Sequence, residues 1–135
     1  MVILGIDWGE RRVGVAVSDE ASIIAMPFST LEVTSDKNAV MQIEEICKEK
    51  NAGMILVGHP INMDGTLGPM SQRVDSFVEK LSDQTNLPVK KWDERMSSMA
   101  ADRALREAEI DNRKRKGVRD RIAAQVILQG YLDSL

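Results

Sequence analysis

Four carboxylates stand where the predicted elements of this sequence end or begin: Asp7, the adjacent pair Asp93 and Glu94, and Asp120. Asp7 closes the apolar run "VILGID" and opens the turn "WGERR", which carries Gly9, Arg11 and Arg12. Asp93 and Glu94 close "PVKKWDE". If both runs are parallel strands, their acids emerge at one edge of a sheet, the carboxyl edge where α/β sheets present ligands. Asp120 begins the last helical pattern. At about 100° per residue it falls opposite the polar stripe of Arg121, Gln125, Gln129 and Asp133, on the side of Ala124, Ile127 and Tyr131. That side faces the sheet, where a charge is costly unless compensated. The helix dipole alone favours an acid in the first turn, and an arginine such as Arg12 or Arg95 would compensate an inward one.

Carboxylates gathered at one spot repel, and a divalent cation removes the repulsion. Their hard oxygens suit Mg²⁺ or Mn²⁺, which keep waters and share phosphate oxygens. Two such ions about 4 Å apart activate an attacking water and steady the leaving oxygen in phosphodiester cleavage. On this reading Asp7 has no protein partner because its partner is a metal, and Gly9 lets a phosphate backbone come close. Acids at strand ends are common, so spacing alone does not decide it.

The elements that must position these groups follow from periodicity. "VILGID" reads as a buried central strand, joined by a tight link to "VGVAVSD" as a hairpin. "MPFSTLEVT" makes a third strand. Residues 36–50 form a helix with Ala39, Val40, Ile43, Ile46 and Cys47 on one stripe and Ser35 as its cap. "GMILVG" is another buried strand, and "HPINMDGTLGP" a loop. A second helix is marked by Met70, Val74, Phe77, Val78 and Leu81. "PVKKWDE" reads as an edge strand because of Lys90 and Lys91. Helices over about 97–108 and 119–133 complete the chain. The order β-β-β-α-β-α-β-α-α implies an α/β fold in which a mixed five-stranded sheet, its first three strands an antiparallel meander, carries helices on both faces.

The length fits one domain, residues 1–135. Cys47 is the single cysteine, so no internal disulfide forms, and a small core thiol in a reduced cytoplasmic protein is the natural reading. No signal peptide or membrane span is evident. Net charge is −3, but residues 1–94 hold 9 basic and 15 acidic side chains against 9 and 5 in residues 95–121. The run "NRKRKGVRDR" is either a solvated linker or a patch for phosphates. With few aromatic residues, stacking on bases has one plausible candidate, Trp8. Recognition of backbone and shape is therefore expected over base readout.

The segments "GIDWGERRVGVAVSD", "VGHPINMDGTLGP", "DERMSS" and "KGVRDRIAAQVILQGYLD" occur in the order and spacing of the YqgF family, also called RuvX. The chain resembles that family over about residues 1–133. The resemblance implies an RNase H-like fold, distantly similar to RuvC resolvases, and a nuclease site. It implies that Asp7, Glu94 and Asp120 form the acidic, metal-holding triad. The implied substrates are the precursor of 16S ribosomal RNA, cut at its 5′ end, or a Holliday junction. Two departures, His59 in place of leucine and Met96-Ser97-Ser98, leave the triad untouched. A lone histidine is usually structural, though His59 near the active edge allows a proton-transfer role.

Around the triad, Lys116 is expected to hold a phosphate or balance the acids. Arg113, Lys114, Arg115 and Arg119 would track a nucleic-acid backbone. Asn62 and Asp64 belong to a loop that either turns or touches substrate. Arg95 is expected to contact substrate or to pair with Asp93, leaving Glu94 for metal, although the adjacent acids could trade roles. The partners implied are structured RNA, branched DNA and ribosomal precursor particles, with no membrane, for a monomer or a homodimer. Two other classes stay open. The D-x-G hairpin also resembles the phosphate turn of actin-like ATPases, but one lobe without a P-loop has no clamp. A non-catalytic RNA or transcription-factor binding module would carry the same acids idle.

Overall fold

The computed structural model describes residues 1–60, 65–94 and 117–135. Five strands and three helices lie in these stretches: β1 (Ile3–Asp7), β2 (Arg12–Ser18), β3 (Ala25–Glu32), α1 (Asp36–Lys50), β4 (Met54–His59), α2 (Pro69–Thr85), β5 (Val89–Asp93) and α3 (Val118–Asp133). The expected helix over 97–108 lies outside the described residues.

The sheet order is β3-β2-β1-β4-β5. β2 is antiparallel to both β1 and β3, while β1, β4 and β5 run parallel. The expected meander and mixed sheet are therefore observed, and β5 with Lys90 and Lys91 is an edge strand. Because side chains alternate across a strand, the sheet builds two cores. Leu4, Ile6, Val13, Val15, Ile55 and Val57 face α1 and α2, and meet Ile43, Phe77 and Leu81. Ile3, Ala16, Met54 and Leu56 face α3, and meet Ala124, Ile127, Leu128 and Tyr131.

Helix α1 forms as its sequence requires. Ser35 accepts from the Asn38 amide, Asp36 complements the dipole, and Asn51 closes the helix in the left-handed region. Its buried residues are the five of the expected stripe. In α2 the expectation for Met70 fails. Met70 is exposed, and Ser71 is buried instead, its hydroxyl donating to the Gly68 carbonyl at 2.7 Å. A first-turn position is filled here by local hydrogen bonding in place of apolar burial.

Helix α3 is gripped by its polar stripe as well as by its core face. Gln129 Oε1 accepts from the Ala25 amide at 2.9 Å, its Nε2 donates to the Ile23 carbonyl at 3.0 Å, and Gln125 Nε2 donates to the Ala25 carbonyl at 3.1 Å. These amides satisfy backbone groups at the start of β3. At the other end, the Thr30 hydroxyl donates to the Gly117 carbonyl. The stripe thus aligns α3 along β3, and this fixes which way the first turn of the helix points.

Candidate functional site

Asp7, Glu94 and Asp120 project over the face of the sheet that α3 covers. Along β1 the residues Ile3, Gly5 and Asp7 share that face, since Ile3 belongs to its core and Gly5 lies under Leu128 and Ala124. Opposite Asp7 on β2 is Gly14. The β1/β4 register runs Ile6 to Val57, so Gly58 follows beside Asp7 on the other flank. Glycine on both sides leaves the floor around Asp7 bare.

The two other acids enter through those gaps. A Cβ at Gly14 would collide with the Asp120 backbone carbonyl, so the first turn of α3 rests directly on β2. A Cβ at Gly58 would stand 2.7 Å from Glu94 Oε1 and 3.2 Å from its Cγ, so Glu94 lies over β4. Neither glycine was singled out from the sequence. The available signal was an isolated glycine inside an apolar strand, which marks close approach.

The same alternation separates Glu94 from Asp93. Gly58 pairs with Trp92 and His59 with Asp93. Trp92 meets Tyr131 of α3 edge-on at 5.4 Å, so Trp92 and Glu94 share the face of Asp7. Asp93 points to the opposite face. There His59 Nε2 lies 3.1 Å from Asp75 Oδ1, which also accepts from Lys91 Nζ at 2.8 Å. The hydrogen bond from Lys91 foremost, with His59 adding to it, holds the Asp75 carboxyl below its usual range. His59 is the buried last residue of β4, not part of the loop expected there. It sits back to back with the acids, which removes the geometric basis for its proton-transfer role.

Electrostatics tie the three acids together. The Asp7 carboxyl is pushed up to about 7, by burial first, then by the charges of Glu94 and Asp120, with Arg119 opposing. Glu94 is raised by burial and by Asp93. Arg12 Nε lies 3.3 Å from Asp120 Oδ2, so the inward acid does have the expected arginine beside it. That contact is misaligned for a hydrogen bond, and Asp120 Oδ2 is a buried oxygen with no hydrogen-bond partner among the described residues. Also among the described residues, no three His, Cys, Asp or Glu side chains are close enough to enclose a metal ion as placed. Arg12 beside Asp120 and Arg119 near Asp7 offset part of the negative charge. An orphaned buried oxygen beside two carboxyls that resist ionisation is nevertheless a donor set that a hard divalent cation fits.

Other expected site residues divide in two groups. Gly9 has a structural reason of its own, because a Cβ there would strike the Arg12 carbonyl across the turn. Trp8 is engaged internally. Its ring tilts against Phe77 at 6.3 Å, its indole N–H donates to Asp36 at 3.2 Å, and the Arg73 guanidinium covers it at 4.9 Å. The sequence-based view of Trp8 as a base-stacking platform is therefore corrected. Beside the site, a groove of about 1020 Å³ runs along Glu10, Arg11, Arg12, Glu32, Val33 and Thr34. Asn62, Asp64, Arg95, Arg113, Lys114, Arg115 and Lys116 lie outside the described residues.

Comparison with known proteins bears on the family and the fold. Residues 1–134 match the family described as RuvX, Holliday junction resolvase. A protein of Clostridium novyi named as a candidate pre-16S rRNA nuclease is 43% identical over 135 residues, covering all of both chains. One of Thermoanaerobacter pseudethanolicus with the same name is 46% identical, covering 99% of this chain and 97% of its own. Among solved structures, Thermus thermophilus RuvC bound to a Holliday junction superposes with a TM-score of 0.65 at 15% identity, covering 99% of this chain and 96% of that one. Fowlpox virus resolvase bound to Holliday junction DNA gives 0.61 at 14% identity, covering 99% and 98%. These superpositions establish a fold shared with the RuvC-like resolvases.

Proposed function

The chain belongs to the RuvX family of Holliday junction resolvases, and on that footing we propose that it is a divalent-metal-dependent endonuclease of structured nucleic acid. The precursor of 16S rRNA, cut at its 5′ end, is the favoured substrate, since that is the molecule named for relatives at 42–46% identity over nearly the full chain. What supports the nuclease reading is that Asp7, Glu94 and Asp120 share one face of the sheet around a glycine-flanked strand end, near enough that the charges of Glu94 and Asp120, after burial, raise the Asp7 carboxyl to about 7.

In this reading Asp7, Glu94 and Asp120 hold Mg²⁺ or Mn²⁺, whose chemistry is to polarise the phosphate and lower the pKa of a water. The chain's own residues do the rest. The rigid end of β1 fixes Asp7, and α3, docked on Gly14, fixes Asp120 relative to it. Arg12, close to Asp120 and in the adjoining groove, is placed to bind a phosphate oxygen of the substrate strand. Lys116, with Arg113 and Arg115, is assigned to neighbouring phosphates. Arg95, Asn62 and Asp64 are assigned to substrate contacts. In the reaction a water oxygen forms a new bond to phosphorus as the bond to the leaving oxygen breaks.

The test is cleavage of precursor 16S rRNA and of a four-way DNA junction side by side, with Mg²⁺ or Mn²⁺ and with Asp7→Asn as control. Metal-dependent cleavage of the RNA that disappears in the variant is expected, with nucleic-acid binding retained. Cutting of the junction alone would move the substrate to branched DNA. Unchanged cleavage by Asp7→Asn would overturn the site.

A further inference from the structure

Two glycines flank Asp7, and they do different work. Gly14 receives a backbone atom, the Asp120 carbonyl, so its bareness is needed for α3 to dock at all. Gly58 receives a side chain. A Cβ there would stand 2.7 Å from Glu94 Oε1, 3.2 Å from Glu94 Cγ and 2.7 Å from Ile127 Cδ1. Real Cβ atoms do not tolerate 2.7 Å contacts, so both neighbours would have to move. Each is the far end of a flexible side chain, and Glu94 follows the last residue of the edge strand β5.

We propose that Gly58 is a positioning residue for the metal site: its missing side chain is what lets Glu94 lie across β4 toward Asp7. This rests on the reading of Glu94 as a metal ligand. Strand alternation puts Glu94 on the face of Asp7, and its Oε1 and Cγ lie directly over the Gly58 backbone beside that residue. The row Gly14, Asp7, Gly58 runs across three adjacent strands, so any side chain at position 58 would occupy the lane between the two acids. Glu94 would then turn outward from the edge strand and leave Asp7 and Asp120 without their third carboxylate.

The experiment separates this role from packing. Ile127→Val removes the Cδ1 that a new Cβ would strike, leaving Glu94 as the nearest side chain in its way among the described residues. Gly58→Ala is made in that background. Thermal unfolding, Mn²⁺ affinity by calorimetry, and kcat and KM on precursor rRNA are measured for Ile127→Val with and without it. Ile127→Val alone is expected to lower the unfolding midpoint slightly, as a buried methylene is lost, and to match the wild type in Mn²⁺ affinity, kcat and KM. Adding Gly58→Ala is expected to leave the unfolding midpoint close to that of Ile127→Val, weaken Mn²⁺ by about tenfold or more, and lower kcat while KM holds. Glu94→Asp, one methylene shorter, should restore part of the Mn²⁺ affinity in that protein while weakening it in the Gly58 parent. Unchanged Mn²⁺ affinity, no rescue by Glu94→Asp, or an unfolded protein would overturn the proposal, the last because it would assign Gly58 to packing. Glu94→Gln distinguishes the underlying reading: wild-type Mn²⁺ binding and cleavage in that variant would remove Glu94 from the site altogether.

Discussion

Asp7 carries the electrostatic tension of the site, and that tension has a measurable consequence without any substrate. Its carboxyl is raised from 3.8 to about 7. Between these values the folded chain holds a proton that the unfolded chain has released. Stability therefore falls as pH rises from about 4 to about 7, and stays lower above that. Asp7→Asn escapes this loss. The variant should match the wild type in stability near pH 4 and exceed it at pH 7.5 in metal-free buffer, by at most about 4 kcal/mol. Chemical denaturation across pH checks it. A difference that stays flat with pH would show that Asp7 is ionised without strain. Which acid stands beside Asp7 was open in the sequence, where Asp93 and Glu94 adjoin. Strand alternation decides it once Trp92 is seen on α3 and His59 on Asp75.

The helices show where sequence reasoning reaches and where it stops. α1 was readable to the residue, because its cap, its stripe and its closing Asn51 are all local features. Ser35→Ala removes the bond to the Asn38 amide and should cost about 1 kcal/mol, read as a lowered unfolding midpoint with unchanged cleavage. α3 was readable in register, so the inward aim of Asp120 followed from the wheel. Its docking was not readable, because the Gln125 and Gln129 bonds to β3 span about a hundred residues of chain. The same holds for Gly14, whose meaning depends on a helix that begins at Val118. Gly14→Ala should cost about 3 kcal/mol or more, since backbone must move to admit it. A change within about 0.5 kcal/mol would mean that α3 does not rest on β2 as described. Trp8 shows the converse error. Its place beside Asp7 suggested a surface platform, and only Phe77 and Arg73 from α2 reveal that its ring is already occupied.

The whole chain combines an acidic body with a basic segment. Residues 95–121 hold half of the Lys and Arg of a protein whose net charge is −3. Four phosphate contacts from that segment would give a slope of log affinity against log salt of about −3 on single-stranded RNA. Near-zero salt dependence would exclude the segment from binding. No helix among the described residues is long and apolar enough to cross a membrane. The two cores divide the labour. The face under α1 and α2 is apolar up to Phe77 and stabilises the sheet, while the face under α3 ends in bare glycine beside Asp7, Glu94 and Asp120. The account stands on those acids acting as one cation site. A Mn²⁺ titration by calorimetry of the wild type against Asp7→Asn, Glu94→Gln and Asp120→Asn tests it most directly. Saturable binding in the wild type that is lost or weakened by about tenfold or more in each of the three is predicted. Equal Mn²⁺ binding by the wild type and all three variants would contradict it.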